Sequence, residues 1–334
     1  MDKVANLPAE NRNILFSETA SQMHTTNAIV EKDFWVVWTL DKLFSDMRLS
    51  KILMFKGGTS LSKVFGLIGR FSEDIDLILD WKLLTGENPY AERSKNKQTK
   101  FNEQINEDAK KYIADELLPI VSEILDSHCI CKIDEKDGFS INVQYPSLFS
   151  DSALRPQILL EVGPLASWSP FSNYEISSFS AQKFPQQFES ATCKIATIVA
   201  ERTFWEKATI LHQEANRPKE KKIPLRHSRH YYDLAMMATS SVKDRALSSI
   251  ELLEGVVAFK QRFYSSAWAK YEDAKTGTLK LLPPEFRYKE LKEDYASMRN
   301  MIFDKYIEFD EIMSILKDLE DEINGMDINL GARN

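Results

Sequence analysis

The chain has 334 residues, 43% of them hydrophobic and 28% charged, a globular balance that excludes wholesale disorder and fits two packed units of roughly 100–200 residues each. A formal charge of −7 and a pI near 5.5 exclude a protein coated in nucleic acid, which needs a broad basic surface. No apolar run approaches the roughly 20 residues that span a bilayer, Met1–Asn11 has no basic segment leading into an apolar one, and Cys129, Cys131 and Cys193 cannot all pair, so a cytoplasmic protein with reduced thiols and no membrane partner is expected.

From Asn27 to Phe44, Ile29, Val30, Phe34, Val37, Trp38, Leu40 and Leu43 recur at helical spacing and predict an amphipathic helix. KILMF then reads as a short buried strand, GGTSLSKVFG as a tight turn opening a helix, and DIDLIL as a second strand. The stretch Tyr90 to Leu125 is polar and helical on one face, with ERSKNKQTK as a solvated run. CICKI, FSINVQY, QILLEV, YEISSF and CKIAT follow as strand candidates between Gly, Pro and Ser punctuation, enough for a mixed sheet of about five strands. His128, Cys129 and Cys131 could hold a soft metal, but their alternation with Ile130 also reads as a half-buried strand. From Val199 the pattern turns helical in VAERTFWEKATILHQEA, SRHYYDLAMMA, ALSSIELLEGVVAFKQRFYS and DEIMSILKDLEDEI, and the tail from Gly325 to Asn334 reads as frayed. The expected fold is α/β (α+β): a mixed sheet with flanking and N-terminal helices over 1–198, then a helical C-terminal domain over 199–334 that contributes to an active-site cleft.

Asp74 and Asp76 are two apart in a strand, so both carboxylates leave the same sheet face. Paired hard carboxylates repel unless a cation lies between them, and Mg²⁺ prefers such oxygens together with substrate phosphates. Gly57 and Gly58 follow a strand and precede a helix, where absent Cβ atoms and unpaired amides admit phosphate oxygens, and Thr59 and Ser60 add hydroxyls. Alone, Gly-Gly is a common turn and Asp-x-Asp a common solvated edge; their order within one strand-turn-helix-strand unit is what points to a site. KGGTSLSK lacks P-loop spacing, and His212, His227 and His230 lack the spacing of a zinc motif.

GGTSLSK followed by RFSEDIDLIL resembles the AbiEii nucleotidyltransferase toxin family, a branch of the polymerase-beta-like nucleotidyltransferase superfamily, and ERTFWEKATILH and RHYYDL resemble its later helices with an essential Lys and an Asp. The similarity runs from about Asp33 to Ala235. It implies a nucleotidyltransferase-like fold and metal-dependent transfer of a nucleoside monophosphate from an NTP to an acceptor hydroxyl, with Mg²⁺ or Mn²⁺ as cofactor. By that match Asp74, Asp76, Lys207 and Asp233 are catalytic, and Glu161 in QILLEVG joins Asp74 and Asp76 as a third metal carboxylate. Lys56, Gly57, Gly58, Thr59, Ser60, Ser72 and Lys207 bind nucleotide. The resemblance further implies the toxin of a toxin-antitoxin pair acting in phage defence, an AbiEi-like antitoxin encoded nearby, and an RNA acceptor, with the tRNA 3′ end as first choice.

The residues supply a physical case beside the resemblance. Thr203, Lys207, Ile210 and Leu211 share a helix face, so Lys207 lies among packing residues and offers a compact charge to a phosphate; a surface helix lysine is the plain alternative. Asp233 could accept a hydrogen bond from Lys207, bind a metal, or make an ordinary helix salt bridge. NRPKEKKIPLRHSRH gathers Arg217, Lys219, Lys221, Lys222, Arg226 and Arg229 against Glu220, which marks Lys219, Lys221, Lys222, Arg226 and Arg229 as acceptor-binding candidates or as a solvated loop. Transfer onto a protein or small molecule, and a non-catalytic nucleotide-binding regulatory module, remain the rival functions.

Overall fold

Alternation along the strands decides the architecture. The computed structural model describes residues 1–72, 74–151, 154–303 and 305–331 and forms two compact units, Met1–Phe65 with Phe71–Ile198, and Gly66–Arg70 with Val199–Asn334. Among the described residues no helix is long and apolar enough to cross a membrane.

In the first unit, β1 (Leu53–Lys56), β2 (Asp74–Leu79), β3 (Ile130–Ile133), β4 (Ser140–Gln144), β5 (Gln157–Gly163), β6 (Phe171–Ile176) and β7 (Cys193–Ile198) form one mixed sheet in the order β3-β4-β5-β2-β1-β7-β6. The β2–β5 and β1–β7 pairings are parallel, the others antiparallel. Leu53, Phe55, Ile75, Leu77, Leu79, Ile158, Leu160 and Val162 alternate onto one face and join the main core. The other face carries a small apolar cluster of Met54, Ile78 and Ile198, with Ala166, Trp168 and Ala196 against it. Burying Ile75 or Leu77 contributes about 2 kcal/mol each, and a slip of one residue would expose both while forcing Asp74 and Asp76 into the core. Hydrophobic alternation therefore locks the carboxylates outward.

The core face is covered by helices. The unit begins with α1 (Asp2–Ala5) and α2 (Ala9–Met23), and α3 (Asn27–Ser45) packs on β5 and β7 with α2, α6 (Leu118–Leu125) and α7 (Phe179–Lys183) around it. Thr26 caps α3 by accepting the Ile29 amide at 3.3 Å, and Phe34, Trp35 and Trp38 are fully buried, with Trp35 stacked on Tyr145 at 5.9 Å. Between β2 and β3, α5 (Lys95–Tyr112) runs into α6 through one wide turn, Ile113–Leu117. Pro119 has no amide to return to the Asp115 carbonyl four residues back, which accounts for that widening.

One ion pair fixes the glycine turn. α4 (Gly57–Lys63) ends in Lys63, whose ammonium pairs with the fully buried Asp33 of α3 and lies 3.5 Å from the Phe179 ring centroid. Asp33 Oδ2 also accepts the Phe179 amide at 2.6 Å, starting α7. Burial pushes the Lys63 ammonium well below its ordinary pKa.

The second unit is helical: α8 (Ala200–Ala215), α9 (Arg229–Ala238), α10 (Val242–Leu247), α11 (Ile250–Phe263), α12 (Tyr288–Ser297) and α13 (Phe309–Gly331). α8 packs against α9, α10 and α11, and α13 against α9. The Gly66–Arg70 segment is stitched in by a bridge from Arg70 to Ile302, by the Phe303 amide on the Gly69 carbonyl at 3.0 Å, and by the Gly69 amide on the Tyr232 hydroxyl at 3.2 Å. Where the sequence reads as frayed from Gly325, α13 continues to Gly331; residues 332–334 lie outside the described residues.

Candidate active site

Two sets of polar side chains stand out, one in each unit. In the first, Asp74 and Asp76 are half-buried on the face of β2 away from the main core. Lys56 of β1 pairs in register with Asp76 on one side, and Glu161 of β5 pairs with it on the other. Lys56, Asp76 and Glu161 thus form a row across three strands, with Asp74 one pleat along. Glu161 is exposed. Among the described residues no three His, Cys, Asp or Glu side chains converge into a ready ion cage; Asp74, Asp76 and Glu161 share a face without closing on a point. Hard, like-charged oxygens side by side are the donor set that Mg²⁺ or Mn²⁺ takes.

The glycine turn meets this row directly. Gly57 has φ +83°, and a Cβ on it would lie 1.9 Å from Asp76 Oδ2 and 2.9 Å from the Asp76 Cβ. Glycine is therefore required twice, by backbone conformation and by space. The Asp76 carboxylate is seated against the bare backbone of the turn, where a phosphate could approach both. Thr59 and Ser60 are fully buried, and their hydroxyls already have partners: Thr59 Oγ1 donates to the Asp74 carbonyl and Ser60 Oγ to the Gly57 carbonyl at 2.8 Å. What they visibly do is hold the turn together and against β2. Ser72 is half-buried two residues before β2.

The second set is a buried charge cluster. Asp233 on α9 is fully buried, and Arg70 clamps both of its oxygens, Nε to Oδ1 at 2.6 Å and Nη2 to Oδ2 at 2.8 Å. Lys207 on α8 donates to Oδ2 at 2.7 Å, and its Nζ lies 3.1 Å from Nδ1 of His230. Burial alone would raise the Asp233 carboxyl; the Arg70 and Lys207 charges and hydrogen bonds overturn that and hold it well below the usual carboxylate range. Lys207 is itself lowered, by burial first and by Arg70 and Arg229, with Asp233 opposing. Two cations against one carboxylate leave the cluster with an excess positive charge, which suits a phosphate. Asp233 has both oxygens engaged by cations, so in this arrangement it positions Lys207 and Arg70 and does not present itself as a metal ligand.

Sequence reasoning gave Arg70 no role, although RFSEDIDLIL contains it. Its partner lies 163 positions away, a separation that no local pattern reports. It also missed how the basic loop is built. Arg287 Nη2 donates to the carbonyls of Pro218, Lys219 and Lys221 at 3.0, 2.9 and 2.5 Å. Asp294 accepts the Arg226 amide at 2.7 Å and the Ser228 amide at 2.9 Å, holding Arg226 at φ +59°. Arg217 is engaged inward by Glu214 at 2.5 and 2.8 Å, while Lys219, Lys221, Lys222 and Arg226 are exposed on this braced loop and Arg229 is exposed at the start of α9. The cysteines are free; burial pushes Cys129 up to about 12 and Cys131 up to about 11, so neither offers a thiolate near neutral pH.

Comparison with known proteins adds the remaining observation. JHP933 from Helicobacter pylori is 13% identical, with 92% of this chain and 98% of that chain covered and a TM-score of 0.46. MenT4, a nucleotidyltransferase toxin from Mycobacterium tuberculosis H37Rv, is 16% identical, with 91% and 98% covered and a TM-score of 0.46. Likeness at this distance carries no inference about chemistry. Among curated proteins none matches the chain. A family model does: "Nucleotidyl transferase AbiEii toxin, Type IV TA system" matches residues 38–315, a range that contains the glycine turn, the β2 carboxylates, the Lys207 cluster and the basic loop. The chain therefore belongs to the AbiEii nucleotidyl transferase toxin family of type IV toxin-antitoxin systems and is a nucleotidyltransferase.

Proposed function

We propose that the protein transfers a nucleoside monophosphate from an NTP to a hydroxyl of an RNA acceptor, the 3′ end of tRNA first among candidates, and that an AbiEi-like antitoxin limits this action. The acceptor oxygen forms a bond to the α-phosphorus as the bond to pyrophosphate breaks, and the hydroxyl proton leaves to solvent. The seating of the Asp76 carboxylate on the Gly57 backbone, in register with Glu161 and one pleat from Asp74, is the observation that supports this reading most. Asp74 and Asp76, with Glu161, would hold Mg²⁺ or Mn²⁺, whose charge, when bound, offsets that of the triphosphate. The Gly57–Gly58 backbone and Lys56 would admit phosphate oxygens, and Lys207, paired with Asp233, would offer a positive charge to a phosphate. Lys219, Lys221, Lys222, Arg226 and Arg229 would meet RNA phosphates on a loop already braced by Arg287 and Asp294.

The test is label transfer. Purified protein with Mg²⁺ and each α-³²P NTP in turn is incubated with total bacterial tRNA, beside an Asp74→Ala, Asp76→Ala control. Label on RNA from the wild type alone supports the reading, and its loss on Lys221→Glu, Lys222→Glu in a salt-dependent manner supports the loop's role. Label on protein or on a small molecule would move the acceptor; NTP binding without pyrophosphate release would favour a regulatory module.

A further inference from the structure

Lys207 stands between two acceptors of different kinds on one helix. Asp233 Oδ2 lies 2.7 Å from its ammonium and is shared with Arg70 Nη2. His230, one turn earlier on α9, presents Nδ1 at 3.1 Å. An ammonium has donors only, so Nδ1 accepts and the imidazole proton sits on Nε2. Burial first, then the charges of Lys207, His227, Arg229 and Arg70, push His230 well below its ordinary pKa and keep that lone pair available. The ring is itself held: His227 stands edge-on at 4.8 Å between centroids, with its Nε2 3.4 Å from the buried Glu214.

A carboxylate alone lets a lysine ammonium rotate and slide along its oxygens, and a four-carbon stem gives it ample freedom to do so. Two acceptors one turn apart fix two of its three N–H directions and thereby the third. Among the described residues that third donor is engaged by neither Asp233 nor His230. We infer that His230 is a positioning residue for the nucleotidyl transfer reaction: its Nδ1, together with Asp233, aims the remaining N–H of Lys207 at the phosphate that Lys207 serves. The inference rests on the reading of Lys207 as a phosphate-contacting residue given above.

The test compares His230→Asn, whose carboxamide oxygen can stand where Nδ1 accepts, with His230→Leu, which keeps bulk and removes the acceptor. Two readouts are taken on the full chain: kcat and KM for label transfer, and trace acylation of the Lys207 amine relative to an exposed lysine, read by mass spectrometry, with Tm recorded for each variant. The expected result is a loss of at least about tenfold in kcat/KM for H230L, the size of one hydrogen bond to a charged group, carried mainly by kcat, with H230N recovering most of it. Acylation of Lys207 rises several-fold in H230L and stays near wild type in H230N. Equal loss in both variants, or wild-type behaviour of H230L in both readouts, overturns the inference. If the wild type transfers no label at all, the functional reading fails, and the acylation contrast still decides whether His230 holds Lys207.

Discussion

Replacing Gly57 by alanine separates two things that glycine does at this turn. The first is conformational: an L side chain at φ +83° costs roughly 1–2 kcal/mol, which lowers Tm by roughly 2–8 °C in a unit of this size. The second is spatial. The new Cβ would lie 1.9 Å from Asp76 Oδ2 and 2.5 Å from its Cγ, whereas real contacts begin near 3.0 Å, so the Asp76 side chain has to retreat by about 1 Å, a displacement that costs about 100-fold in rate at a reacting centre. Gly66 is the internal control. It has φ +60° but nothing within 4 Å of its Cβ position, so Gly66→Ala carries the backbone cost without the clash. Thermal melts and pyrophosphate release, measured on both variants, should show similar losses of Tm but a loss of turnover only for G57A. Wild-type turnover in G57A, or equal losses of turnover in both, would refute the argument that the Gly57 backbone and the Asp76 carboxylate form one device.

Asp233→Asn leaves Arg70 and Lys207 buried with no countercharge and should cost about 3–5 kcal/mol in urea unfolding, more than Arg70→Met, which leaves the Lys207–Asp233 pair balanced; the reverse order would show the cluster is not held by charge. Because the Asp233 pKa is depressed below its ordinary 3.8, its contribution is complete above that value and is lost as pH falls toward the folded pKa, so D233N should flatten the acid limb of a stability profile. His212 accepts the Lys280 amide at Nδ1 and lies 3.0 Å from the Lys270 carbonyl at Nε2, and burial lowers its pKa from the ordinary 6.5. Its stabilisation is therefore present above that value and lost as pH falls below it, and His212→Gln should reduce the drop in Tm between about pH 8 and pH 5.5; an unchanged slope counts against this. Lys63→Met strands the Asp33 carboxylate and should cost about 3–5 kcal/mol, and adding Asp33→Asn should recover part of that loss, as a double-mutant cycle would register.

The parts legible in the sequence are those governed by short periods. A spacing of two puts Asp74 and Asp76 on one sheet face, and the apolar residues between them say which face. Gly57 after a strand announces a backbone that needs no Cβ, and CICKI, FSINVQY, QILLEV and CKIAT coincide with β3, β4, β5 and β7 to within a residue or so, whereas YEISSF overlaps only the second half of β6, Phe171–Ile176. What local patterns cannot carry is pairing across the chain. Glu161 opposite Asp76 follows from a β2–β5 register that joins positions 85 apart. Arg70 with Asp233, Asp33 with Lys63 and Arg287 with the carbonyls of the basic loop depend on tertiary packing. A charged residue looks the same in sequence whether it is solvated, as Lys222 is, or turned inward, as Arg217 is toward Glu214.

The Gly66–Arg70 segment gives the polypeptide an unusual order of completion. Its five residues belong with Val199–Asn334, so a ribosome, which works from the N-terminus, delivers Arg70 long before Asp233 and Ile302 exist to receive it. The helical unit is therefore not a contiguous gene fragment: a piece beginning at Val199 would contain Asp233 and Lys207 but lack the guanidinium that clamps both Asp233 oxygens. Supplying Gly66–Arg70 by circular permutation or a grafted linker is the way to make that unit stand alone, and a nascent chain stalled before α9 has no carboxylate with which to hold Arg70.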